Sequence, residues 1–312
     1  MSTPQAIRAE GTTKAAKKVA AQAALNQHPG RFRTENITAM AFLFIVSIYF
    51  LLPLYWLIIS STKTSGDLFS TNSLWFASTF NLFNNLGDVF TYNGGVYPLW
   101  LLNSFIYSSA SALLGTLFSA MAGYALAKFV FRGQNLIFSI ILGAILVPAP
   151  ALVLPLYLLM SGLHLVNTYW AIILPSIVSP FGVYLARIYA ASSVPDALLD
   201  AARVDGAGEF RIFQSIVIRI MSPALVTVFL FQFVAVWTNY FLQYVMVSNP
   251  ALYPVTVGLA TWNSSYTSGG AQQHVYSVLV TGSLISVIPL VVGFLLLQRY
   301  WRNGLTLGSV VG

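Results

Sequence analysis

Residues Ala191 to Pro223 read ASSVPDALLDAARVDGAGEFRIFQSIVIRIMSP, and this stretch decides how the chain is interpreted. It holds seven charged residues, although the 312-residue chain has only 15 Lys and Arg and 8 Asp and Glu. Because charged side chains avoid lipid, a membrane chain that gathers them in one internal loop presents that loop to water. Asp200-Ala201-Ala202 followed by Gly206 predicts a helix, a turn and a second helix. We name residues 191–223 the charged island and interpret it as a docking element for a cytoplasmic partner.

The rest of the composition is that of a polytopic membrane protein. The chain is 57% hydrophobic and 7% charged, and its mean hydropathy is +0.75. A soluble fold of this composition would expose far more apolar surface than water tolerates. The chain has no cysteine, which excludes disulfides, a thiolate nucleophile and a sulfur metal site. The pI near 9.6 reflects Lys and Arg in a tail and in loops beside membrane spans, so it does not indicate nucleic-acid binding.

Runs of about 20 residues without charge are long enough to cross roughly 30 Å of hydrocarbon as a helix. Six such runs predict an all-α protein with six transmembrane helices. They are Ala39 to Ser60, Leu101 to Ala127, Asn135 to Met160, Thr168 to Leu185, Ala224 to Val247 and Ser277 to Leu297.

The distribution of Lys and Arg predicts the orientation of these spans. With the N-terminus inside, fourteen of these residues lie on the cytoplasmic side and only Lys63 lies outside. By the positive-inside rule, both termini and the charged island are therefore expected in the cytoplasm.

We divide the chain into a basic cytoplasmic tail, residues 1–38, and a six-helix membrane domain, residues 39–312, which contains the island. The first apolar run is too long for the hydrophobic region of a signal peptide, and no small-residue cleavage site follows it, so it is expected to remain as an anchor. The tail is rich in Ala and Lys. It either forms a short basic helix on the inner leaflet or stays solvated and disordered, and the sequence favours neither.

The sequence argues against enzyme chemistry. His28, His164 and His274 are scattered, none has a partner at metal-ligand spacing, and no H-E-x-x-H is present. No lysine follows a glycine, so the chain has no phosphate-binding Walker A loop. We therefore expect no catalytic, cofactor or metal site here, and any ATP must be bound by another chain. All eight acids lie in the tail or loops, which argues against the alternative of an ion-coupled secondary carrier.

The charged island resembles the EAA signature of ABC-importer permeases, E-A-A-x-x-x-G, nine residues, then I-x-L-P. Asp200-Ala201-Ala202, Gly206 and Ile216 match its spacing, whereas Asp200 replaces the Glu and Ile218-Arg219 replace the Leu and Pro. Further similarity to the carbohydrate-uptake subfamily, and to its second, maltose-G-like permease subunit, lies in AGYALAKFVFRG (122–133), VPAPALVLPLYLLMSGLHLVNTYWAIILP (147–175) and QRYWRNGLTLGSVVG (298–312). The chain departs from that subfamily at Trp237 to Tyr244, which lacks an Asn and a Pro, and at Val311 in place of a Lys.

This resemblance implies the type I importer permease architecture in the bacterial cytoplasmic (inner) membrane. It implies one half of a heterodimeric pore, with a homologous permease as sister subunit, an ATPase dimer that carries ATP and Mg on the inside, and an extracytoplasmic sugar-binding protein. The chain itself would carry no catalytic group and would alternate between inward- and outward-open states. The residues expected to couple to the ATPase are Asp200, Ala201, Ala202, Asp205, Gly206 and Ala207.

The residue types in the island fit such a contact. Pro195 suits a first helical position, and small alanines let a helix approach a partner groove closely. Asp200 and Asp205 are expected to pair with basic residues at the rim of that groove, while Gly206 permits the turn. The alternative is an amphipathic helix on the inner leaflet. Such helices prefer Lys and Arg on their polar face, whereas this one begins with acids.

The fifth predicted span offers candidate substrate contacts. Gln232, Asn239 and Gln243 recur at i, i+7 and i+11, which places them in one stripe if the helix is continuous. Amides in a membrane helix are expected to face the bundle or an aqueous path, and sugar hydroxyls pair well with them. The aromatic side chains of Trp237 and Tyr240 are expected to cover the apolar faces of sugar rings. Hydrogen bonding between helices explains the amides equally well.

Overall fold

A computed structural model describes the secondary structure of residues 31–267 and 275–305 and the side chains of residues 37–265 and 275–298. The two interpretations of the basic tail, together with His28 and His274, lie outside these ranges. The residues described here are predominantly helical and form no strand. The predicted all-α class is therefore confirmed.

The helices follow one another with short connections, and we number them in chain order. The first six are α1 (Arg31–Ser61), α2 (Ser65–Ser70), α3 (Leu82–Gly95), α4 (Tyr97–Lys128), α5 (Gln134–Ile145) and α6 (Ala149–Gly162). Next come α7 (Trp170–Ile177), α8 (Pro180–Ser193), α9 (Asp196–Val204) and α10 (Glu209–Trp237). The last three are α11 (Phe241–Met246), α12 (Val255–Thr267) and α13 (Val275–Leu305).

Within the described ranges, five stretches are long and apolar enough to cross a membrane, and a bent helix pair raises the number to six if it is counted as one span. The chain forms two units by internal contacts, Met1–Trp56 and Leu57–Gly312. The described part of the first unit is the larger part of α1, and the second unit contains the other helices.

The third predicted span is broken rather than continuous. Helices α5 and α6 meet at a bend of 106°. Pro148 stands at the break with extended backbone angles, and Pro150 lies in the first turn of α6. Proline has no N–H to donate and disfavours a helical residue before it, so the two prolines end one helix and start the next.

The fourth predicted span is also interrupted, and it runs further than predicted. Val178 and Ser179 between α7 and α8 have non-helical angles, and α8 continues past Leu185 to Ser193. The Ser179 side chain accepts a hydrogen bond from the Gly182 N–H at 3.2 Å, which caps the restarted helix.

The prediction of a fifth span from Ala224 to Val247 is wrong at both ends. Helix α10 begins inside the charged island at Glu209 and ends at Trp237. Residues Phe213–Val217 within it form a π-helical turn. The second helix of the island and the fifth span are therefore one element.

Small residues set the close packing of α4 against α8. A Cβ at Gly123 would lie 2.6 Å from the Ala186 Cβ, and a Cβ at Gly182 would lie 2.6 Å from the Ser119 Oγ. Helices in lipid associate largely through such close contacts, because lipid is as apolar as their side chains. These contacts hold together the two helices whose ends lie next to the island.

Candidate functional site

The charged island contains the predicted helix, turn and second helix. Helix α9 begins at Asp196, one residue later than predicted, because Pro195 has extended angles and precedes the helix. Gly206 has φ +80°. Its N–H donates to the Arg203 carbonyl at 3.0 Å, and the Ala207 N–H donates to the Ala202 carbonyl at 3.0 Å. This pair of bonds is the Schellman motif, which ends a helix at a left-handed glycine.

An ion-pair cluster fixes the angle between the two helices of the island. The Arg203 Nε donates to Glu209 Oε1 at 2.7 Å, and its Nη1 donates to Asp200 Oδ1 at 2.9 Å. The hydrogen bond to Glu209, followed by that to Asp200, raises the pKa of the Arg203 guanidinium. Asp200 is thus already paired within the chain, whereas it was predicted to pair with basic residues of a partner.

A second ion pair joins α9 to the end of α4. The Lys128 Nζ lies 2.7 Å from Asp196 Oδ1, and the Lys128 side chain is only 7% exposed. Lys128 is the last residue of α4 and Asp196 the first of α9. The positive charge at a helix C-terminus and the negative charge at a helix N-terminus each interact favourably with the helix dipole. Sequence reasoning missed this contact, since nothing in either local pattern points to a residue 68 positions away.

The base of the island is apolar. Leu199 is fully buried in a cluster with Tyr124, Ile212 and Phe213. The Tyr124 and Phe213 rings lie 5.8 Å apart. Leu199 therefore anchors α9 to the membrane bundle, and the opposite side of α9 is left for other contacts.

The exposed face of the island carries large apolar side chains at its edges and a small side chain at its centre. Val204 is 87% exposed and Phe210 72% exposed, and Leu198 is also exposed. Ala201 stands exposed between them. Such a surface fits a groove on another protein better than it fits water.

The six predicted coupling residues divide between two faces. Asp200, Ala201, Asp205 and Gly206 are exposed, whereas Ala202 and Ala207 are half-buried and pack against the apolar cluster under the island. Four of the six residues are thus exposed in the chain, and their contact with an ATPase stays a prediction.

The predicted polar stripe of the fifth span does not form, because α10 ends at Trp237 before Asn239 and Gln243 are reached. Asn239 Oδ1 accepts a hydrogen bond from the Leu242 N–H at 3.2 Å, which starts α11. Gln243 is buried, donates to the Val236 carbonyl at 2.7 Å and accepts from the Thr256 hydroxyl at 3.1 Å. These two amides thus hold the end of α10 and the start of α11.

Gln232 lies on α10 beside the break between α7 and α8. Its Nε2 donates to the Ser176 carbonyl, which the break leaves without a helical partner. The other amide atom, Oε1, is buried and has no hydrogen-bond partner among the described residues. A cavity of about 420 Å³ opens at this point, and it is lined by Ser176, Ser179, Phe181 and Gln232 among others.

The two predicted aromatic contacts differ in exposure. Trp237 is buried and stacks on Phe233 with ring centroids 5.7 Å apart. Tyr240 is 41% exposed and stacks on Tyr244 at 5.3 Å. Of the pair, Tyr240 alone has a partly exposed side chain. Among the residues that the structure describes, no three His, Asp or Glu side chains are arranged to hold a metal ion.

Comparison with known proteins gives consistent results. Residues 115–305 match the family model described as "Binding-protein-dependent transport system inner membrane component". The arabinooligosaccharides transport system permease protein AraQ of Bacillus subtilis is 34% identical over 92% of this chain and 99% of its own. The lactose transport system permease protein LacG of Rhizobium radiobacter is 28% identical over 90% and 98%.

A solved structure shares the fold. A chain of a bacterial ABC transporter involved in the import of the acidic polysaccharide alginate superposes with a TM-score of 0.73. The match covers 86% of this chain and 96% of that one at 21% identity.

Proposed function

Because the chain belongs to the family of binding-protein-dependent transport system inner membrane components, we propose that it forms one half of the pore of an ATP-driven importer. It is a carbohydrate importer permease, since its relatives include permeases for arabinooligosaccharides, for lactose and for melibiose, raffinose and stachyose. The other half of the pore is a homologous sister permease. An external sugar-binding protein delivers the solute.

The chain acts without catalytic groups of its own. ATP and Mg are assigned to a cytoplasmic ATPase dimer, because the sequence has no glycine-rich phosphate loop. The conformational change of the ATPases must then be transmitted to this chain through a protein–protein contact. The observation that best supports this role is the exposed face of the charged island around Ala201.

The way α9 is held supports transmission of force from this face. Two ion pairs and the buried Leu199 tie α9 to α4 and α10. Since α10 is continuous with the fifth span, a displacement of the island displaces a membrane helix directly. We propose that closure of the ATPase dimer moves the spans in this way between inward- and outward-open states.

The island and both termini are assigned to the cytoplasm of a bacterial cell, with the spans in its inner membrane. Support comes from the excess of Lys and Arg that this orientation places inside. The segment between α1 and α4 then lies outside, because α4 begins at Tyr97 after that segment and ends at Lys128 beside the island.

For the substrate path we propose Gln232 as the principal contact. The Gln232 residue lines the cavity beside the break of the fourth span. Its Oε1 has no hydrogen-bond partner among the described residues, and an amide oxygen accepts hydrogen bonds from sugar hydroxyls. Tyr240 is kept as a secondary candidate because its ring is partly exposed. Trp237, Asn239 and Gln243 are assigned to holding the end of α10.

The proposal is tested by Ala201→Arg. This change puts a long charged side chain into a close contact, and a buried unpaired charge at an interface costs roughly 2–5 kcal/mol. At the lower end this corresponds to about 30-fold weaker ATPase binding. We expect a membrane-inserted permease pair that has lost its ATPase and its sugar uptake. The matched control is Ala191→Arg, which makes the same change at an exposed alanine of α8 outside the docking face.

Two results would contradict the proposal. If Ala201→Arg retains its ATPase and transports at the wild-type rate, the island does not couple the two proteins. If the purified chain alone takes up sugar into vesicles under an ion gradient, the protein is a secondary carrier instead.

A further inference from the structure

Exposed aromatic side chains stand on the segment between α1 and α4, opposite the charged island. We name the set of Phe69, Trp75, Phe80 and Phe83 the aromatic collar. Trp75 is 64% exposed and Phe83 76% exposed, close to the 67% of Phe42 on the first membrane span. A soluble surface rarely leaves so many large rings open to water, so the collar requires a non-aqueous neighbour.

The segment that carries the collar is fastened to the end of the first span. Fully buried Lys63 donates from Nζ to the Thr71 hydroxyl at 3.0 Å and to the Asn72 carbonyl at 2.6 Å. The Asn81 N–H donates to the Thr62 carbonyl at 2.7 Å. Residues 72 and 81 are therefore both held at the point where the span Ile37–Ser61 ends.

This attachment limits how far the collar can rise from the membrane. Each of the four aromatics is within three residues of Thr71, Asn72 or Asn81 along the chain. At about 3.5 Å per residue, its Cα lies no more than roughly 10 Å from an attached residue. The headgroup layer on each side of the hydrocarbon is roughly 5–7 Å thick. Even a Cα at the limit of roughly 10 Å therefore lies only a few ångströms beyond the headgroup layer, and an aromatic side chain directed toward the membrane is long enough to reach that layer.

The charge of this segment suits a lipid interface. Residues 64 to 96 contain no Lys or Arg, and their only acids are Asp67 and Asp88. The Asp67 carboxylate accepts hydrogen bonds from the hydroxyls of Thr64 at 2.7 Å and Thr79 at 3.2 Å. The bond from Thr64 is the main cause that lowers the Asp67 pKa, so hydroxyl groups of the protein stabilise its charge. Aromatic residues at such a depth are typical of the belts that anchor membrane proteins.

We propose that the aromatic collar lies in the headgroup layer of the outer leaflet and binds lipid, instead of forming a cap in water. The segment between α1 and α4 then holds the outer end of the first span at the level of the headgroups. This proposal depends on the membrane location of the chain and not on the solute that it transports.

Site-directed spin labelling tests the proposal on the assembled importer in phosphatidylcholine and phosphatidylglycerol vesicles. The chain has no cysteine, so Trp75→Cys and Phe80→Cys each give a single labelling site. We expect these labels to collide several-fold more often with oxygen, which concentrates in lipid, than with a water-soluble nickel chelate. The matched control is Asn84→Cys, an exposed polar neighbour of Phe83, where the preference should reverse.

Two outcomes would overturn the proposal. A collar label that prefers the nickel chelate lies in water, and a label that neither reagent reaches is covered by another protein. If the cysteine variants fail to assemble, the conservative change Trp75→Phe still decides the question. Brominated lipid should quench the wild-type tryptophan fluorescence more than that of Trp75→Phe, and equal quenching of the two would refute lipid contact.

Discussion

Replacing Gly206 isolates the contribution of a single backbone angle to partner docking. The residue has φ +80°, and a Cβ added there would meet no atom within 4 Å. Any penalty therefore comes from the left-handed conformation alone and not from a clash. Such a conformation costs a residue with a side chain roughly 1–3 kcal/mol, with β-branched residues at the upper end.

The penalty should appear as a loss of docking competence. The two hydrogen bonds of the Schellman motif are accepted by the carbonyls of Ala202 and Arg203, next to Ala201, so a strained turn reduces the fraction of islands in the docking geometry. A shift of 1–3 kcal/mol corresponds to about 5- to 150-fold weaker ATPase binding. We expect the loss of ATPase binding to be near the upper end of this range for Gly206→Val and smaller for Gly206→Ala. The loss should be smallest for Gly206→Asn, because asparagine tolerates positive φ.

The assay is titration of the purified ATPase onto the permease pair in mild detergent. Gly208 supplies the control, because a Cβ there also meets open space while its backbone is extended with φ −71° and ψ 155°. Gly208→Val should bind within about twofold of wild type, which is below 0.5 kcal/mol. Equal losses at Gly206 and Gly208, or no loss at Gly206→Val, would refute the reasoning.

Two further predictions concern orientation and packing. A single cysteine at exposed Val130 should resist an impermeant thiol reagent in intact cells while one at Asn84 reacts, and the reverse pattern would invert the topology. Gly123→Val should lower the melting temperature of the solubilised protein, since its Cβ would lie 2.6 Å from the Ala186 Cβ and overpacking costs about 1–3 kcal/mol. Gly143→Val, where a Cβ meets nothing, should melt near wild type, and equal destabilisation would contradict the packing argument.

The sequence predicts the membrane class and the approximate position of the spans, because these depend on local runs of apolar residues. The turn at Gly206 is predictable for the same reason, since a helix that ends in a left-handed glycine has a local signature. The end of α10 is harder to predict from the sequence. Uncharged residues continue past Trp237, and the helix stops because the Asn239 and Gln243 side chains bond to nearby backbone groups.

Contacts between distant residues account for most of what sequence reasoning missed. Gln232 was placed in a polar stripe, yet one of its amide atoms bonds to Ser176, a partner 56 residues away that only the break of the fourth span exposes. The Lys128–Asp196 pair is equally remote. One signal was available but unused, namely the small residues Gly115, Ser119 and Gly123 at intervals of four on α4, which predict a close helix contact.

The π-helical turn at Phe213–Val217 has a geometric consequence for the whole island. A π-turn accommodates one residue more than an α-helical turn, and one residue corresponds to about 100° of rotation about the helix axis. The residues before the turn are therefore rotated by about a quarter-circle around the α10 axis, in the sense of a less tightly wound helix, from where an uninterrupted helix would place them. The direction in which the docking face points from the membrane bundle thus depends on the number of residues in this turn, in addition to the ion pairs that hold α9.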